Sequence, residues 1–215
     1  MGEQAQTARS KAGLVYDSLR RAIVEGDLAA GQRLNMDEIA RSLGVSKIPV
    51  REAVKHLEAD GLLVSRAHSG VSVAVLDAAE MRGVFLAREA VETLVAALAV
   101  ERITAAGLEE LESLQARMRS ALDQGEVGPL AELNSRFHSE LARAAGYRVL
   151  TVLTEQLMLT VRRYRVNSPL DPEDWRAVIT EHEEILTALR GRDPRAVEAT
   201  RAHIGARADH EVGSG

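Results

Sequence analysis

The stretch 36–57, MDEIARSLGVSKIPVREAVKHL, constrains this chain more than any other, because its spacing reads as two short helices separated by a three-residue break. Ala40 is small enough for the second helix to pack close, Gly44 suits the positive φ of a tight turn, and Val50 plugs the angle between the helices. Asn35 and Glu38 read as a capping box for the first helix, Ser46 as the N-cap of the second, and Pro49 falls in its first turn. Val50, Val54 and Leu57 then face inward, while Lys47, Arg51 and Lys55, four apart, make a basic stripe on the other side. A major groove accepts one helix presented in this way, with Arg matched to guanine edges and Lys to phosphates. The pattern predicts a DNA-recognition helix; the plainer reading is an amphipathic pair with a solvated charged face.

The flanking sequence favours the first reading. Residues 14–24 carry Leu14, Val15, Leu19 and Ile23, a helix suited to the third side of a small core. Downstream, 61–65 (GLLVS) and 71–74 (VSVA) read as two strands joined by 66–70 (RAHSG). Together these predict a winged helix-turn-helix over residues 1–76, with Arg66, His68 and the backbone of Gly70 at a wing tip that reaches a minor groove or phosphates.

The runs YDSLRRAIVEGDLAAGQRL and LGVSKIPVREAVKHLEADGLL and the wing GVSV resemble the N-terminal domain of GntR-superfamily bacterial transcription regulators, over about residues 10–76. The resemblance implies that Ser46, Lys47 and Arg51 contact the operator. Lys47 stands where that family more often has Arg, and Ile48 where it often has Thr.

At 215 residues the chain has room for two modest domains. Aromatics make up 3%, so the cores must be aliphatic, and the absence of Cys excludes disulfides and thiolate metal sites. Residues 1–10 hold no apolar signal segment, and no run approaches transmembrane length, so the expectation is a cytoplasmic protein with no membrane partner. The net charge of −5 is unevenly spread: residues 1–76 hold 10 Lys and Arg against 9 Asp and Glu, and the remainder 17 against 23. Phosphate attraction must therefore come from the local stripe and from two copies acting together.

Beyond Leu76 the periodicity is helical throughout. Asp77 caps a helix to about Arg102, Thr104 one to about Gln124, and others follow at about 130–145 and 147–165; the loop 167–172 precedes a fifth that ends at Gly191, and Asp193 and Pro194 start a sixth that frays after Asp209. Short connections predict an antiparallel six-helix bundle over 77–215, and the whole chain is expected to be mainly α.

Polar residues interrupt the apolar faces of that bundle. His182 lies near the centre of the face made by Ile179, Ile185, Leu186 and Leu189; Asn134 and His138 edge the face of Leu133, Phe137 and Leu141; His203 shares a stripe with Ala196 and Ala199. One such histidine is ordinarily a hydrogen-bonded core residue. Three imidazoles and an amide oxygen from three helices also fit the first shell of a divalent Zn, Ni or Mn ion, and spacing leaves both readings open. On the first bundle helix Val84, Val91, Val95 and Leu98 define the buried face, with Arg88 inside its arc and Glu92 at its edge, either a salt bridge or a clamp for a bound carboxylate. Arg163 is a weaker candidate near an inner face, and Arg162 and Arg165 read as solvated.

NSRFH, EHEEILTALRGRDPRAVEA and the later HI resemble the C-terminal FCD ligand-binding domain of the FadR subfamily, over residues 77–205. The resemblance implies a divalent metal on Asn134, His138, His182 and His203, and an effector pocket lined by Arg88 and Glu92. Many metal-containing members have Asp where Asn134 stands; a neutral amide leaves the ion's full charge in place, which favours an anion beside it.

Three functions follow as expectations. The first is a regulator, by family habit a repressor, in which a small organic acid held by the metal and Arg88 controls how a homodimer engages a near-palindromic double-stranded operator. The second is a regulator whose metal is itself the signal or only structural. The third is a metal-dependent hydrolase with Glu181, Glu183 or Glu184 as base, although these glutamates read more simply as a solvated face.

Overall fold

The computed structural model describes residues 10–66 and 70–212, which divide into two compact units, Met1–Leu76 and Asp77–Gly215. In the first, α1 (Lys11–Glu25) is capped by Ser10, whose hydroxyl accepts from Gly13 N at 3.0 Å. Its stripe Val15, Leu19 and Ile23 packs on α3 (Lys47–Ala59) through Val50, Ala53, Val54 and Leu57. Leu14, expected to join that face, is half exposed instead. The hydroxyl of Tyr16 donates to Asp60 at 2.5 Å and ties α1 to the end of α3. Burial and that carboxylate push the Tyr16 phenol up to about 12.

The short helix α2 (Met36–Ser42) begins at Asn35, whose side chain accepts from the Asp37 and Glu38 amides. The expected reciprocal half of the capping box is replaced: Glu38 accepts from the Asn35 side chain, not its backbone. Gly44 turns the chain at φ 63°, and Val50 is fully buried behind the turn. Ser46 holds the N-cap position of α3 but its hydroxyl makes no capping bond.

The wing strands are β2 (Leu63–Arg66) and β3 (Gly70–Val73), antiparallel with Val64 opposite Ser72. A third strand, β1 (Arg33–Leu34), pairs with β3 and gives the order β1-β3-β2. It was not foreseen, because two residues carry no alternation to read.

Among the described residues the second unit holds six helices: α4 (Ala78–Arg102), α5 (Ala105–Asp123), α6 (Leu130–Ala144), α7 (Arg148–Asn167), α8 (Pro172–Arg190) and α9 (Arg195–Val212). Capping boxes at Asp77 with Glu80 and at Asp171 with Asp174 start α4 and α8, and Gly146 at φ 80° separates α6 from α7. Two apolar clusters form along the bundle. One gathers Val95, Ala99, Leu111, Phe137, Leu141, Ile185 and Leu189; the other gathers Leu114, Met118, Leu130, Leu133, Trp175 and Ile179. Along α6 and α8 a buried polar layer lies between them, at Asn134, His138 and His182.

The end of α9 departs from expectation. It does not fray at Asp209 but continues to Val212, because the buried Glu211 carboxylate accepts from Arg165 at 2.6 Å and its carbonyl accepts from Tyr164 at 3.1 Å.

Candidate functional site

In the first unit the side chains of Ser46, Lys47, Arg51 and Lys55 all lie on the exposed side of α3, opposite its buried face. Lys47 sits 2.7 Å from Asp37, with both side chains more than half exposed. Such a pair is weak in water and exchanges readily for a phosphate. Ile48, beside them, is two-thirds exposed, an apolar group suited to a thymine methyl. Arg66 and Gly70 are exposed at the two ends of the wing strands, and Gly70 has φ 76°. His68 lies outside the described residues.

In the second unit α6, α8 and α9 bring His138, His182 and His203 together, fully buried, with one ligand nitrogen from each within 4.8 Å of the others. Asn134, one turn before His138, is also buried and its Oδ1 has no hydrogen-bond partner; neither nitrogen of His182 has one. Phe137 stacks on the His182 ring at 4.0 Å and fixes its plane.

The outer nitrogens of the other two rings are held by carboxylates. Glu92 Oε2 lies 2.6 Å from His138 Nδ1, and Glu181 Oε2 lies 2.7 Å from His203 Nδ1. Each Nδ1 therefore carries the proton, which leaves each Nε2 as a lone pair. These two Nε2 atoms face one another across 3.3 Å. Lone pairs so placed repel unless something positive lies between them. Two nitrogens about 2.0–2.1 Å from one tetrahedral Zn²⁺ stand about 3.3–3.4 Å apart, so the residues present fit a divalent ion.

The electrostatics agree. Burial lowers His138, and lowers His182 and His203 well below the ordinary histidine value, so the rings are neutral donors. Burial alone would raise Glu92, but the charge of Arg88 and the hydrogen bonds from His138 and Arg88 outweigh it and hold the carboxyl at about 2. Arg88 Nε donates to Glu92 at 2.7 Å, and both side chains are 1% exposed. Glu92 is thus not at the edge of a face: the buried stripe of α4 runs Met81, Phe85, Arg88, Glu92, Val95, Ala99, and the pair sits at its centre.

Three expectations about charged residues are corrected. Arg165 is buried, over the Trp175 ring at 5.2 Å, because it continues the inner stripe Thr154, Met158, Val161 of α7. Arg162 is three-quarters buried and pairs with Glu132. Glu181 does not belong to a solvated face; besides His203 it accepts from Arg207 at 3.1 Å. Arg163 is buried, and burial lowers it, but the opposing charge near it is Glu80 in the first turn of α4. The α7 arginine whose charge acts on His138 and His182 is Arg165. Arg207 was not named from the sequence, Arg165 was read as solvated, and Glu181 was named only as a candidate base, not as a partner of His203. The signal for the two arginines was present as four-residue spacing from Val161 and His203.

Residues 83–206 match the FCD domain family, and residues 11–73 match the family of bacterial regulatory proteins, gntR family. The chain is 32% identical over 184 residues to the HTH-type transcriptional repressor RspR of Escherichia coli (strain K12), covering 86% of this chain and 81% of that protein. It is 30% identical to a probable D-xylose utilization operon transcriptional repressor of Paenarthrobacter nicotinovorans, over 92% and 86%. Among solved structures, E. coli McbR/YncC superposes with a TM-score of 0.80 at 23% identity, over 94% of this chain and 97% of that one, a likeness of fold.

Proposed function

Because this chain belongs to the bacterial gntR family of DNA-binding transcription regulators and ends in an FCD domain, we propose that a small organic carboxylate, bound at a divalent metal on the buried histidines, controls its grip on operator DNA. The observation that carries the proposal is the facing pair of Nε2 atoms on His138 and His203, each ring turned by a carboxylate behind it. His138, His182 and His203 would hold the ion with Asn134 as an added oxygen donor. When bound, the ion supplies a Lewis-acidic +2 charge that attracts an anionic oxygen. Arg88, locked by Glu92 and lying over the Phe85 ring at 5.4 Å, keeps its Nη2 without a protein partner and offers that donor to the acid.

On the DNA side, Arg51 reads a base edge, Ser46, Lys47 and Lys55 position the helix on phosphates, and Arg66 with Gly70 meets the duplex from the wing. Repression relieved by the acid is the proposed sense of control. The active species is a homodimer. Exposed Leu86 and Leu94 on α4 and Val149, Val152 and Leu153 on α7, two helices that pack side by side, leave an apolar surface for a second copy.

A hydrolytic reading loses its base, since Glu181 is committed to His203 and Arg207, Glu183 pairs with Arg119 and Arg190 on the surface, and Glu184 is exposed away from the buried histidines. The test is a gel shift on an operator selected from a random duplex pool. Metal-loaded wild type should release DNA with an effective carboxylate, and His182→Ala should bind DNA without responding. Equal responses from both would remove the histidine site from the control.

A further inference from the structure

We propose that Arg165 and Arg207 form a second anion subsite beside the histidines, so that the effector is a dicarboxylate spanning from the metal and Arg88 to these two guanidinium groups. This rests on the proposed function above and names the ligand class of the same site.

The first observation is the ladder on α9. His203, Arg207 and Glu211 are four residues apart and share one face, so Arg207 stands one turn, about 5.4 Å, beyond the histidine. Glu211 in turn draws Arg165 of α7 to that face at 2.6 Å. Arg165 and Arg207 therefore flank the same end of the bundle interior, where burial and, to a lesser degree, the Arg207 charge lower the Arg165 pKa. Both are more than nine-tenths buried.

The second observation is the donors these arginines leave over. Arg165 Nη2 is spent on Glu211 and Arg207 Nη2 on Glu181, but Nε and Nη1 of both have no hydrogen-bond partner. A guanidinium offers five N–H donors in a fixed plane, and a buried one left unpaired is costly. The Nε and Nη1 groups remaining here call for an oxygen-rich anion. The rings and partners hold them in place: Arg165 lies over Trp175, and Arg207 is anchored through Glu181 to His203.

Charge balance gives the same answer. Arg88 with Glu92, Arg165 with Glu211 and Arg207 with Glu181 are three pairs with no net charge. The imidazoles and Asn134 add none, so a divalent ion leaves +2, which one carboxylate only half neutralises. A dicarboxylate neutralises it, and one turn of α9 matches the reach of a chain of about four or five carbons.

Calorimetric titration of the full-length, zinc-loaded protein tests the subsite. Each straight-chain dicarboxylate from malonate to adipate is compared with the monocarboxylate of the same length. At least one, with succinate or glutarate the expected optimum, should bind about tenfold tighter than its partner or better, the effect of one added charge-assisted contact. Arg165→Lys and Arg207→Lys keep the ion pairs but lose the planar fork, and should shrink that ratio towards one. If mono- and dicarboxylates bind alike in the wild type, or the lysine variants keep the full ratio, the subsite is overturned while the metal-bound carboxylate stands. If no acid binds zinc-loaded protein, the effector reading falls and the subsite with it.

Discussion

His182 has the most to lose by replacement, since both its nitrogens are without protein partners and Phe137 holds its ring in place. His182→Ala should reduce bound zinc from about one equivalent per chain to near zero by elemental analysis, while circular dichroism stays helical. Full retention of the metal would place the ion elsewhere. Protons compete for the same rings. In the folded chain His138, His182 and His203 are held below 6.5, and Glu92 is held at about 2 against 4.5. In each case the unfolded chain binds more protons between the two values, so these groups contribute stability at higher pH that is lost as pH falls. Chelator-treated protein should therefore show a Tm that drops as pH falls below 6.5 and again between 4.5 and about 2. A Tm unchanged from neutral pH to about 5 would mean that the rings are not buried as neutral groups.

At the scale of the element, the two helix ends that matter most behave differently. The start of α3 was legible because a cap, a turn glycine and a four-residue stripe are local signals, and Ser46, Lys47, Arg51 and Lys55 all emerge exposed. Arg51→Ala should weaken operator binding by about ten- to a hundredfold in a gel shift without lowering Tm, the loss of one bidentate base contact. The end of α9 was not legible, because the residue that holds it, Arg165, comes from another helix. A chain stopped after Asp209 would bury Arg165 without Glu211, and such uncompensated charges cost about 3–5 kcal/mol. A Tm equal to that of the full chain would show that the pair contributes nothing. The same distinction explains the site. His138, His182, His203 and Asn134 could be placed on inner faces from period alone, whereas Glu92 and Glu181 acquire their roles only from the rings that face them across the bundle. β1 illustrates the other limit, a strand of two residues fixed wholly by its pairing with β3.

For the whole molecule, the division into a winged helix-turn-helix and a helical bundle follows from the change of periodicity at Leu76, and both halves match families along their length. The apolar surface on α4 and α7 gives the dimer proposal its test: Leu94→Glu with Val152→Glu should convert a dimer to a monomer by light scattering, and an unchanged mass would move the interface. Among the described residues no helix is long and apolar enough to cross a membrane. An acid held at the histidine metal site raises the Tm of the metal-loaded bundle through linkage, with about 2.7 kcal/mol of stabilisation at a hundred times Kd. The direct measurement is a thermal shift with a panel of small mono- and dicarboxylates against three samples: zinc-loaded wild type, chelator-stripped wild type and His182→Ala. At least one acid should raise Tm in the zinc-loaded wild type and in neither of the others; the same rise in stripped protein or in His182→Ala would contradict an effector held at the histidine metal site.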